Sequence, residues 1–266
     1  MRKLCLSLLL LVTATILKAQ DLNLFEKQWL TQNGDTMPFR VLLPENYDPA
    51  KKYPLVLFLH GRGESGNDNE KQLTHGAKMF LQDSIRKNYP AIVVFPQCAA
   101  NSYWSNVQAV MNGSKTGKRT FYFVPVGEPS KAMVMLQSLV GNLLERYPVK
   151  LNQVYVMGLS MGGMGTFELV RRMPGLFSAA IPICGGAHPA TAPQLVKTKW
   201  WVFHGGKDDV VLPAFSEQMV QALKKAKASV QFTLFPNANH NSWDPAFAEP
   251  GLLRWLFSQK NRQDNN

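Results

Sequence analysis

The sequence predicts an α/β fold with a mostly parallel central sheet and helices on both faces. Three observations carry this. Short runs rich in Val, Ile, Leu and Phe recur along the 266-residue chain, and most are continuously apolar rather than alternating, as strands covered on both faces are. Segments with apolar residues at helical spacing lie between them. No repeat, low-complexity tract or linker interrupts the alternation, so residues 20–266 are expected to form a single domain. A composition 45% hydrophobic and 18% charged supports a sizeable core and excludes a disordered chain.

In order, residues 1–19 come first. Arg2 and Lys3 precede an apolar stretch from Leu4 to Leu17 that ends at Lys18-Ala19-Gln20, the pattern of a secretory signal peptide cleaved after Ala19. The stretch is shorter than the roughly 20 residues of a spanning helix, and no later run is long enough, so no stable membrane insertion is expected. Cys5 lies inside the stretch with no small-residue site before it, which argues against a lipid anchor. The expected location is secreted or periplasmic. Strands are expected at 39–44, 54–60, 91–96, 153–158, 179–184, 199–205 and 230–236. Helices are expected at 129–147, 161–173, 214–226 and 244–257, the second stopped by Pro174-Gly175 and the last broken by Pro250-Gly251. Residues 97–128 are long for a connection and mix Gly, Asn, Ser and Lys with aromatics. The FYFVPV piece within them suits one strand of a hairpin, a partial flap near a site.

The formal charge is +11, and removal of residues 1–19 leaves 26 basic residues against 18 acidic ones. The basic residues are scattered and no nucleic-acid motif accompanies them, so a solvated basic surface is expected, with no nucleic-acid partner. Lys115, Lys118 and Arg119 in the long connection could meet an anionic polymer, but a solvated loop is the expected reading.

VYVMGLSMGG (154–163) wedges Ser160 between glycines directly after a strand and before a helix. Gly158, Ser160 and Gly162 fit G-x-S-x-G, in which small residues let the backbone turn tightly and hold a serine exposed at the tip. The helix beginning near Met161 turns unpaired N–H groups and its positive dipole toward that tip, suiting an oxyanion. A base must come from His60, His75, His188, His204 or His240. His60 and His204 end strands before glycine and read as turn residues bonded to backbone. His75 and His188 sit in polar, surface-like segments. His240, in the loop after the last strand, matches the chain order Ser, acid, His. The acid belongs between them, in GGKDDVVLP, which offers Asp208 and Asp209.

Taken together, HGRGESG (60–66), GLSMGG (158–163), HGGKDDVV (204–211) and HNSWDP (240–245) resemble the α/β-hydrolase superfamily. More narrowly, they resemble small secreted esterases of the phospholipase/carboxylesterase, feruloyl-esterase-like and polyhydroxybutyrate-depolymerase-like kinds. The resemblance covers residues 36 to 257. It implies the α/β-hydrolase fold, a Ser160–His240–Asp208 triad, and an oxyanion hole from the N–H groups of Met161 and of Arg62 or Gly61. The PQC…W stretch, Gln97 to Trp104, resembles the family's cleft wall, which makes Gln97, Tyr103 and Trp104 candidate substrate contacts. Trp243 is a further candidate or a packing anchor. The long basic 105–128 segment and Asn239, where glycine is common, depart from the family pattern. The family's strand order separates the strands before Cys98 and Cys184 by three ladder steps, roughly 14 Å. A disulfide needs Cα atoms within about 7 Å, so two free cysteines are expected.

These readings imply a serine esterase that acts on a small-molecule or polysaccharide-linked ester. No cofactor or metal is implied, because H-E-x-x-H, P-loop patterns and close His/Cys/Asp spacings are missing from the sequence. The competing readings are a serine peptidase related to the prolyl oligopeptidase catalytic domain, and a noncatalytic binding protein on the same scaffold.

Overall fold

The apolar runs become strands of one eight-stranded sheet in the computed structural model, which describes residues 21–111 and 119–261. The leader residues 1–19 with Cys5, and Lys115 and Lys118, lie outside the described residues. In chain order the strands are β1 (Glu26–Gln32), β2 (Asp35–Leu42), β3 (Tyr53–Leu59), β4 (Ile92–Pro96), β5 (Val107–Met111), β6 (Arg119–Phe123), β7 (Val149–Leu159), β8 (Ala179–Ile183), β9 (Lys199–Gly205) and β10 (Val230–Phe235). The helices are α1 (Ala77–Phe80), α2 (Asp83–Asn88), α3 (Lys131–Arg146), α4 (Met161–Arg172), α5 (Pro213–Lys225), α6 (Trp243–Phe247) and α7 (Leu252–Ser258). The order across the sheet is β1-β2-β4-β3-β7-β8-β9-β10, with β5 and β6 forming a separate antiparallel hairpin. Pairing from β4 to β10 is parallel, while β1–β2 and β2–β4 are antiparallel.

Side chains alternate across the sheet, and β3 shows how this makes two cores. Leu55, Leu57 and Leu59 face a cluster that takes in Leu136 and Leu139 of α3 and Phe167 of α4. Val56 and Phe58 face a second cluster with Phe80 of α1 and Leu252 and Leu256 of α7. Both faces are therefore covered, which is why the central strands read as unbroken apolar runs. Ser130 caps α3 by accepting from the Met133 N–H at 3.1 Å. Pro250-Gly251 separates α6 from α7, as the sequence implies.

The sequence reading misses β1, whose side chains are mostly exposed and show no apolar run. The overlooked signal is Asn33-Gly34, with φ of 52° and 81°, the positive-φ pair that a two-residue hairpin turn uses. The expected hairpin strand in FYFVPV is present as β6. The segment after it is tied to α4, because Arg171 and Arg172, both paired with the buried Glu168, donate to the carbonyls of Pro125 and Gly127. Cys98 and Cys184 follow β4 and β8, three ladder steps apart, and are buried and unpaired. Burial pushes the Cys98 thiol up to about 12, and the Cys184 thiol is also raised. No helix among the described residues is long and apolar enough to cross a membrane.

Candidate active site

Ser160 occupies the single position between the end of β7 and the start of α4, with φ 53° and ψ −118°. A non-glycine residue held there costs about 1–3 kcal/mol, so the surroundings must enforce it. The neighbouring glycines show how. A Cβ on Gly158 would lie 2.5 Å from the Gly162 carbonyl oxygen, and one on Gly163 would lie 2.5 Å from that of Ile183. One on Gly162 would fall onto the Leu59 carbonyl. The turn therefore packs backbone against backbone, and the Ser160 N–H donates to Ile183 O at 2.9 Å.

His240 Nε2 lies 2.9 Å from Ser160 Oγ, and His240 Nδ1 lies 2.8 Å from Asp208 Oδ2. A carboxylate only accepts, so Nδ1 carries the proton and Nε2 is left to accept from the serine. Asp208, not the exposed Asp209, makes this contact. Its Oδ1 accepts from the N–H groups of Val210 and Val211 at 2.9 and 3.0 Å. Burial pushes the Asp208 carboxyl up, but hydrogen bonds from His204 and His240 outweigh it and hold the group well below the usual carboxylate range.

His204 bonds to backbone as expected and also to the candidate acid. It is fully buried, with Nε2 3.1 Å from Asp208 Oδ2 and 2.8 Å from Val211 O, and Nδ1 2.7 Å from Ser216 Oγ. It thus shares Asp208 Oδ2 with His240 and braces the carboxylate. His60 does bond to backbone. Its Nε2 accepts from the Cys98 N–H at 2.9 Å, and its Nδ1 donates to Gly61 O at 2.6 Å. Because a trans peptide sets C=O and N–H in opposite directions, turning the Gly61 carbonyl toward His60 turns the Arg62 N–H away from it. His188 caps the turn that begins at Pro189, accepting from the Ala190 N–H.

Burial lowers the His60 pKa from 6.5 to about 4. As pH falls through that interval the unfolded chain takes up a proton that the folded one refuses, so stability drops. At about 1.4 kcal/mol per unit the loss is about 3 kcal/mol. Urea unfolding at pH 7 and pH 4.5 is expected to show most of it, and His60→Asn to lose correspondingly less.

A cavity of about 270 Å³ opens over Ser160, lined by Gly61, Arg62, Tyr103, Met161, His240 and Trp243 among others. Phe121 of β6 lines it too, so the hairpin does border the site. Two expected substrate contacts are corrected. Gln97 is fully buried and spends its amide on the Asn69 N–H, the Glu64 carbonyl and Asp68, so it supports the 60–70 loop from beneath. Trp104 is fully buried, packs where Gly165 lacks a Cβ, and donates to His60 O at 3.2 Å. Tyr103 and Trp243 do face the cleft, and the Arg62 guanidinium sits 5.0 Å over the Tyr103 ring. Glu64 and His75 also line it; the sequence reading placed His75 in a surface-like segment and overlooked Glu64.

The fold creates a group that sequence spacing does not show. Cys184, Asp208 and His240 bring potential metal-ligating atoms within 4.8 Å of one another. Two of those side chains are committed to the Asp208–His240 hydrogen bond, and the third is a buried thiol of raised pKa, a poor donor set for a resident ion.

Residues 31–230 match the sequence model of the family described as "Putative esterase". The chain is 32% identical over 143 residues to the poly(3-hydroxybutyrate) depolymerase of Ralstonia pickettii, covering 54% of this chain and 27% of that one. It is 21% identical to dipeptidyl-peptidase 5 of Porphyromonas endodontalis over 87% of this chain and 37% of the other. To the carboxylesterase SOBER1 of Arabidopsis thaliana it is 25% identical, over 70% and 82%. The crystal structure of a thermostable esterase superposes with a TM-score of 0.79 at 31% identity, over 90% of this chain and 64% of that one. The chain thus spans less than two fifths of the depolymerase and the peptidase.

Proposed function

The chain belongs to the esterase family and has the α/β-hydrolase fold, and from that premise we propose that it is a serine hydrolase cleaving carboxylic esters through an acyl-enzyme. The observation that carries this reading is the hydrogen-bonded chain Ser160–His240–Asp208 at the floor of an open cavity. Ser160 Oγ attacks the ester carbonyl while His240 Nε2 takes its proton. Asp208 holds the imidazole in the required tautomer and stabilises the imidazolium. The N–H groups of Met161 and Arg62 receive the developing oxyanion, each worth about 3 kcal/mol in the transition state. His240 then protonates the leaving alcohol, and water repeats the sequence on the acyl-enzyme.

Asp208→Asn is expected to lower kcat about 10⁴-fold, because the amide can donate to His240 and favour the wrong tautomer. Steady-state hydrolysis of p-nitrophenyl acetate checks this.

The reading includes export directed by residues 1–19, supported by Arg2 and Lys3 ahead of the apolar stretch. The substrate class is a small-molecule or polysaccharide-linked ester, supported by a cavity that combines Tyr103 and Trp243 with polar groups. The likeness to dipeptidyl-peptidase 5 keeps a peptidase as the second reading. A panel of p-nitrophenyl acyl esters, methyl ferulate and dipeptidyl p-nitroanilides separates the two. Ester cleavage outpacing anilide cleavage is expected. Folded protein that cleaves no ester and ignores a fluorophosphonate probe would overturn the esterase reading.

A further inference from the structure

Glu64 stands in the short turn after Gly61, facing the cleft with a side chain only 13% exposed. Its Oε2 is buried without a hydrogen-bond partner among the described residues, a costly state for a carboxylate oxygen. Its Oε1 lies 3.8 Å from His75 Nε2. That separation is too long for a hydrogen bond, yet one hydroxyl oxygen could sit about 2.8 Å from both atoms. Such a hydroxyl would donate to Glu64 Oε1 and accept from the His75 Nε2–H, bridging the two side chains.

The pair lies close to the reacting centre. An atom placed as a Cβ on Gly61 would be 3.0 Å from Glu64 Oε2 and 3.7 Å from Ser160 Cβ, so the carboxylate and the serine flank the same glycine. It also lies on the side of His240. The His75 ring packs against Trp243 with centroids 5.1 Å apart, and Trp243 meets the His240 ring at 5.5 Å. His240 delivers its proton to the departing alcohol, so groups beside it adjoin the alcohol half of the substrate.

We propose that Glu64 and His75 form a subsite for a free hydroxyl on the alcohol half of the ester, selecting esters of polyols over those of simple alcohols. The inference rests on the esterase reading above. A site built to bond a hydroxyl discriminates against the analogue that lacks it, because its own polar groups are then left unpaired.

The test compares 2-hydroxyethyl butyrate with propyl butyrate, which match in heavy-atom count, by pH-stat titration of the wild type, Glu64→Met, His75→Phe and Ser160→Ala. The expected wild-type ratio of kcat/KM is at least about 10 in favour of the hydroxylated ester, falling toward 1 in Glu64→Met and in His75→Phe. Both variants replace a polar side chain by an apolar one of similar shape, and a purely structural role would slow the two esters alike and preserve the ratio. A wild-type ratio near 1, or a ratio that survives both substitutions, would overturn the subsite. If propyl butyrate cleavage still depends on Ser160 in that event, the esterase reading stands. Cleavage of neither ester by folded wild-type protein would overturn both.

Discussion

Ser160→Ala is expected to lower kcat for p-nitrophenyl esters by about 10⁶-fold while leaving the fold intact. The loss is that large because, on the proposed mechanism, the hydroxyl, the imidazole and the carboxylate act as one unit, and removing the nucleophile idles the other two. Residual rate over water, about 10³-fold, comes from oxyanion donors that the substitution does not touch. Stability is expected to hold because, among the described residues, the Ser160 side chain bonds only to His240, while the backbone bond to Ile183 survives. A melting curve alongside the kinetics separates lost chemistry from lost structure.

Gly162→Ala is expected to have the largest effect on folding. The added methyl would coincide with the Leu59 carbonyl and lie 2.7 Å from His60 O, and all of those atoms are backbone at the end of the central strand β3. No flexible side chain can give way, so either α4 moves off β3 or the strand end shifts. Overpacking of a core typically costs about 1–3 kcal/mol, and here the strain falls on backbone in two elements, so more than about 4 kcal/mol is expected. Insoluble expression, or a urea midpoint far below that of the wild type, is the expected result. The same shift would displace Ser160 and the Gly61–Arg62 peptide together, so any soluble fraction should also lose activity.

What was legible in the sequence follows from which physical constraints leave a trace along the chain. Strands such as β3 and β8, buried on both faces, must be apolar at every position and so announce themselves. β1 pairs on one side and faces solvent with most of its residues, so only its Asn-Gly turn could mark it. The Ser160 turn was readable because tight backbone contact demands glycine at fixed offsets. Asp208 and His240 followed from chain order and the resemblance. Side-chain direction in loops leaves no such trace. Gln97 and Trp104 have polar and aromatic character suited to a cleft, yet both turn inward and hold the 60–70 loop in place. Glu64 and His75 lie 3.8 Å apart across a stretch without periodicity, and Cys184 reaches the triad only through the parallel crossover between β7 and β8. His204 ends a strand as a turn histidine would, and only the fold brings it onto Asp208.

The central claim is that Ser160 carries the acyl group during turnover. Mixing the protein with excess p-nitrophenyl butyrate, quenching in acid within the first turnovers and mapping peptides by mass spectrometry tests it directly. A butyryl mass increase is expected on the peptide that contains Ser160, absent from Ser160→Ala. Continued ester hydrolysis with no adduct on that peptide, or with the adduct on another residue, would contradict it.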